Sequence, residues 1–103
     1  MKLDRNGYAP SLVNWPDNRC FICGRSDLPL QRHEVFHGPY RSKSKAYGCW
    51  VNICYECHSR VHSGANDLEL RLKGLMQKKV MAANNWTVDQ FREVFGKSYE
   101  EEA

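Results

Sequence analysis

The sequence predicts a small α+β fold: two strands and a short helix, then two longer helices. Three observations predict it. Cys20-Phe-Ile-Cys23 and Cys54-Tyr-Glu-Cys57 are two C-x2-C pairs that can converge on one ion. The run Tyr47 to Cys54 is aromatic and β-branched and delivers the second pair. Leu68, Leu72, Leu75, Met76 and Val80 recur with helical spacing in the C-terminal half. Four thiolates at about 2.3 Å complete the tetrahedral shell of Zn²⁺ and leave no open position, so such a site is structural.

Taken in order, residues 1–19 carry Pro10, Pro16 and Asn6-Gly7 with little periodicity. They read as an irregular arm that packs through Tyr8, Leu12 and Trp15. The first cysteine pair runs into Gly24, whose freedom lets the backbone turn and point amide N–H groups at sulfur. Leu28 to Phe36 is the expected first strand, broken at His37-Gly38-Pro39-Tyr40. Arg41 to Lys45 reads as a polar, basic loop. Tyr47 to Cys54 is the second strand, paired with the first as an antiparallel hairpin. A short helix from Cys57 to about His62 ends at Ser63-Gly64. Asn66 is the expected cap of the next helix, with Glu69 completing a capping box. Its apolar stripe reads as packing surface, and Asn84-Asn85 ends it. Thr87 and Gln90 form another capping box, with Trp86 stapled onto Phe91. Phe91, Val94 and Phe95 give a last apolar face closed by Gly96.

At 103 residues the chain is one domain with a modest core, so a metal staple is a plausible source of stability. No apolar run is long enough to cross a bilayer, and the start does not read as a signal peptide. The expected compartment is the reducing cytoplasm, where paired cysteines mean metal more often than disulfide. Cys49, outside both pairs, reads as a small apolar filler. The net charge of +3 is unevenly spread. Glu100-Glu101-Glu102 are acidic, whereas Arg19, Arg25, Arg32, Arg41, Lys43 and Lys45 face only Asp27 and Glu34 in their stretch. That excess suits a phosphate backbone, although a solvated loop carries such residues too.

The histidines carry the remaining chemistry. His58 and His62, four residues apart, share one helix face and can share one metal ion. If Cys57 faces the zinc, His58 is turned about 100° away and can serve a second site. His33 can approach from the preceding strand. A few protein ligands with open positions are what a catalytic divalent ion requires.

Cys-x2-Cys, His33-Glu34-Val35-Phe36, Gly38…Arg41…Ser44…Tyr47-Gly48 and Cys54-x2-Cys57-His58…His62 together resemble the HNH endonuclease family. More narrowly, they resemble its small bacteriophage and prophage members, as does the ending Phe91…Phe95-Gly96-Lys97…Tyr99. The resemblance covers roughly residues 20–99. It implies a zinc-stapled ββα-metal (HNH, His-Me finger) core over residues 20–64 and a packed helical extension over 65–103.

By resemblance, His33, His58 and His62 hold a catalytic divalent ion (Mg²⁺, Mn²⁺, Ni²⁺ or Zn²⁺), while Cys20, Cys23, Cys54 and Cys57 hold structural Zn²⁺. The family's general base is usually a histidine at the position of Glu34. Three readings stay open: Glu34 is the base, His37 stands in for it, or the protein binds without cutting. Asn52 is the nearest candidate for the family's middle asparagine, closer to Cys54 than expected. Arg41, Lys43 and Lys45 are the expected phosphate contacts, Arg41 first because its guanidinium fork matches phosphate geometry. The expected activity is metal-dependent hydrolysis of DNA phosphodiesters by a monomer or homodimer. The alternative is an inactive zinc module that binds nucleic acid or a phage recombination or packaging partner.

Overall fold

The structure is a computed structural model and describes residues 3–14 and 18–99. Trp15, Pro16 and the acidic run Glu100 to Glu102 lie outside the described residues. Strand β1 (Leu30–Glu34) pairs antiparallel with β2 (Trp50–Cys54), with Leu30 opposite Cys54, His33 opposite Val51 and Glu34 opposite Trp50. Both strands are shorter than the sequence suggests. Four helices accompany them: α1 (Arg41–Ala46), α2 (Tyr55–Ser63), α3 (Leu68–Asn84) and α4 (Val88–Phe95).

Side chains alternate across a strand, and this sorts the hairpin into two faces. Gln31 and His33 project toward α2. Arg32 and Glu34 project to the other side, where the N-terminal arm covers them. The arm is tied down by backbone bonds, with Ala9 N donating to Lys45 O at 2.8 Å and Leu12 N to Gly48 O at 3.0 Å. Trp50 Nε1 donates to Ala9 O at 2.7 Å, Tyr8 packs edge-on against Trp50, and the Arg32 guanidinium lies over both rings.

The connection expected to be a basic loop is instead a 3₁₀ turn, Gly38–Tyr40, running into α1. Pro39 presets the turn. Ser44 explains the helix: it is fully buried, its Oγ accepts from Phe36 N at 2.9 Å and donates to Phe36 O at 2.6 Å. One hydroxyl thus closes both backbone groups at the point where β1 ends.

Helix α2 begins two residues earlier than the sequence suggests, with Cys54 as its N-cap, and ends in a left-handed Gly64. The expected Asn66–Glu69 capping box is absent. Asn66 and Asp67 both adopt positive φ, Asp67 is the N-cap without a side-chain bond, and Glu69 is engaged by His37 and Lys73. The α3 stripe holds at Leu72, Met76 and Val80, joined by fully buried Gln77, while Leu75 is exposed. Gln77 Oε1 accepts from Tyr99 N at 2.6 Å and its Nε2 donates to Ser98 Oγ at 3.0 Å, holding the C-terminal segment on α3. The Thr87–Gln90 capping box is present in both directions, and Trp86 lies edge-on to Tyr47 at 5.0 Å. Phe36 sits against Phe91, Phe95 and Tyr99, joining the hairpin to the last helix. Cys49 is buried in this core, as a small apolar filler would be, and burial pushes its thiol pKa far up.

Two glycines share one backbone requirement but differ in surroundings. Gly64 (φ +81) has open space where a Cβ would stand, whereas at Gly96 (φ +82) a Cβ would collide with the Tyr40 hydroxyl. We expect Gly64→Ala to cost about 1 kcal/mol, the left-handed penalty alone, and Gly96→Ala distinctly more. Urea denaturation midpoints of the two variants measure the difference.

Candidate metal centres

Gly24 (φ +79) closes the knuckle: its N–H donates to Cys20 O at 2.8 Å, and Cys20 N to Arg25 O at 2.8 Å. Phe21 N donates to Asn52 O at 2.9 Å, which docks the knuckle on β2. Asn52 N in turn donates to Asn14 Oδ1 at 2.6 Å. Asn52 therefore helps to seat the knuckle and the arm. The sulfurs of Cys20, Cys23, Cys54 and Cys57 lie within 4.8 Å of one another, and Cys23 Sγ is 3.8 Å from Cys54 Sγ. Sulfurs each about 2.3 Å from one zinc ion at tetrahedral angles stand about 3.8 Å apart.

The thiols of Cys20 and Cys57 are shifted in opposite directions. Burial raises the Cys20 thiol, but N–H groups of Cys23, Cys54 and Ile22 outweigh it and bring its pKa down to about 6. Burial and the neighbouring sulfurs push Cys57 well up. Crowded sulfurs cannot all ionise without a cation among them, and the Cys₄ cluster fits a structural zinc site.

The second cluster grows from the spacing on α2. Cys57 and Val61 turn inward and are buried; His58 and His62, each one position later, turn toward β1. There His33, 4% exposed, meets them, with ring centroids 5.4 Å from His58 and 5.8 Å from His62. His58 Nε2 and His62 Nε2 are 3.0 Å apart, and the three imidazoles offer nitrogens within 4.8 Å of one another. Nitrogens each about 2.1 Å from one ion are spaced about 3.0–3.4 Å. His33 Nε2 is buried and is the one described buried side-chain polar atom without a hydrogen-bond partner. The donor set fits a divalent ion. Burial first, then the positive charge of His58, His62 and His37, drives the His33 pKa down to about 4, with Glu34 opposing.

Glu34, the next residue, stands on the opposite face of the strand. Its Oε1 accepts from Tyr8 Oη at 2.8 Å and from Arg41 Nε at 2.7 Å. Burial would raise its pKa, but these two partners prevail and lower it. His37 Nε2 is 2.7 Å from Glu69 Oε1, bridging the end of β1 to the first turn of α3. Of the basic residues, Arg41 is 66% exposed beyond its bond to Glu34. Lys43 Nζ donates to Val94 O at 3.0 Å, and Lys45 Nζ lies 4.7 Å over the Tyr8 ring, so both are partly committed within the fold.

Three residues at these sites escaped the sequence reading. Gln31, whose Oε1 lies 2.5 Å from His58 Nδ1, was discernible as the position two before His33 on the same strand face. Glu69 and Tyr8 carried no such sign, because only the tertiary placement of α3 and the arm brings them in. No protein-family model, curated protein or solved structure matches the chain. Among the described residues, no helix is long and apolar enough to cross a membrane.

Cys57→Ser is expected to lose the bound zinc and the folded state together, while Cys49→Ser retains zinc; elemental analysis with circular dichroism separates them. His33 gives a pH signature. The folded protein takes up its proton near pH 4 and the unfolded chain near 6.5, so the unfolded state binds more protons between these values. Stability contributed by neutral, buried His33 is therefore lost as pH falls through that window. With no divalent ion added, the stability of wild type should fall more steeply from pH 6.5 to 4 than that of His33→Gln.

Proposed function

We propose that this protein is a metal-dependent endonuclease of the HNH type that hydrolyses phosphodiester bonds in DNA, built on a ββα-metal core. The observation that carries the reading is the convergence of His33, from the strand, with His58 and His62, from the helix that also supplies Cys57. The antiparallel pair β1–β2 followed by α2, with α1 inserted between the two strands, supports the resemblance to the small bacteriophage and prophage members of that family.

His33, His58 and His62 would hold a divalent ion with positions left open for substrate. Such an ion supplies Lewis-acid stabilisation of charge on the scissile phosphate and on the leaving oxygen. Mg²⁺, Mn²⁺, Ni²⁺ and Zn²⁺ are the candidates, since imidazole suits several ions. For the general base the hydrogen bonding favours His37 over Glu34. Glu34 is turned away and engaged by a guanidinium and a phenol, which hold it as a weak base. His37 is exposed just beyond the end of the same strand and is oriented by the Glu69 carboxylate, as a base held in position for proton transfer would be. Glu34 then positions Arg41, whose remaining N–H groups face solvent and suit a flanking phosphate. Lys43 and Lys45 add positive field beside it.

One observation favours a second reading. The closed Tyr8–Glu34–Arg41 group occupies the position where the family usually has its base, which suits a zinc module that binds nucleic acid or a phage recombination or packaging partner without cutting.

Plasmid nicking assayed with each candidate ion decides between them. We expect cleavage by wild type, loss of at least about 100-fold in His58→Ala and His62→Ala with zinc content and fold intact, and a loss of about 10²–10⁴-fold in His37→Ala. Retardation of DNA in a gel without cleavage under any ion supports the second reading. Arg41→Ala should weaken DNA binding and flatten its salt dependence.

A further inference from the structure

We propose that Gln31 is a positioning residue of the histidine centre: its side-chain carbonyl fixes the proton of His58 on Nδ1 and so reserves Nε2 as a metal ligand. The inference rests on the metal-centre reading above and adds to it a residue that contacts no ion itself.

A neutral imidazole carries one proton, and only the bare nitrogen can bind a metal. His58 Nε2 is 3.0 Å from His62 Nε2, and the ring of His33, whose buried Nε2 has no hydrogen-bond partner, lies 5.4 Å from that of His58. Its other nitrogen, Nδ1, is 2.5 Å from Gln31 Oε1. A carbonyl oxygen accepts and cannot donate, so this short bond requires the proton on Nδ1 and leaves the Nε2 lone pair toward the cluster. Were the amide turned to offer its NH₂ group, the proton would move to Nε2 and close the site.

The fold supplies this contact by periodicity. Gln31 is two residues before His33, so both side chains leave β1 on the face that α2 covers. Gln31 is exposed and opens outward onto a shallow cleft with Leu28, Pro29, Tyr55 and Glu56, so its replacement removes no core contact. A polar partner on the second nitrogen of a metal-binding histidine typically changes affinity by about 10–100-fold.

Gln31→Leu and Gln31→Glu, compared with wild type and His62→Ala, test the proposal. All are prepared with zinc on the four cysteines and titrated with Co²⁺ by calorimetry, with visible spectra reporting the coordination environment. Long-range ¹H–¹⁵N spectra of the imidazoles, taken before titration, report the tautomer of His58. We expect wild type to hold the proton on Nδ1 and take up one Co²⁺ beyond the zinc. Gln31→Leu should show mixed tautomers and Co²⁺ binding about 10–100-fold weaker, with unchanged zinc content and melting. Gln31→Glu, which keeps an acceptor, should restore both. Equal affinity and an unchanged tautomer in Gln31→Leu would overturn the role of Gln31 while leaving the centre standing. Wild type that binds no more Co²⁺ than His62→Ala would overturn the centre, and this role with it.

Discussion

The meeting of four sulfurs is the constraint on which the rest of the molecule depends. It joins two segments distant in sequence, the knuckle after the N-terminal arm and the junction of β2 with α2. Cys54 ends a strand and caps a helix at once, so the sulfur cluster fixes the angle at which α2 leaves the sheet. That angle lays α2 across the face of β1 bearing Gln31 and His33. In a chain of this size the hydrophobic core alone gives little margin, and ion binding of about 10 kcal/mol or more in such sites is folding energy. The histidine cluster is therefore carried by the same helix, α2, that supplies Cys57 to the sulfur cluster.

Alternation along five residues of β1 does the remaining sorting. Odd positions face α2 and carry the polar groups of the histidine centre. Even positions face the arm, where Arg32 and Glu34 enter a network with Asp4, Tyr8, Trp50 and Arg41. The buried imidazole of His33 on one side and paired charges on the other are separated by a single peptide layer. A one-residue slip of the register would exchange these faces and destroy both. Buried Ser44 and the Glu34–Trp50 pairing at the strand end hold that register.

How much of this was legible in the sequence depended on range. The C-x2-C spacing, the i, i+4 histidines and the Thr87–Gln90 box are local patterns, and each appears in the structure because local geometry alone dictates it. Helix α1 was not legible: six residues give too little periodicity, and the bonds that stabilise it run from Ser44 to a strand end outside it. The Asn66 cap failed for a related reason. Glu69 had a stronger partner in His37, across the fold, and Asn66 and Asp67 took left-handed conformations that Asn and Asp tolerate. His33 could be placed on a strand, but nothing local fixed which face it would take.

The offset of one residue between Cys57/Val61 and His58/His62 is what lets one short helix serve both centres. Successive residues on a helix diverge by about 100°, so the Cys57 sulfur and the His58 imidazole point into different clusters. The same turn of backbone nevertheless carries both, and a shift of α2 that loosened the sulfur cluster would also move His58 away from Gln31 and His33. The sulfur cluster and the histidine cluster are thus coupled through rigid backbone rather than through a shared residue. In a molecule with so small a core, that coupling gives the histidines a fixed mutual geometry which hydrophobic packing alone, at Val61 and its neighbours, would hold less firmly.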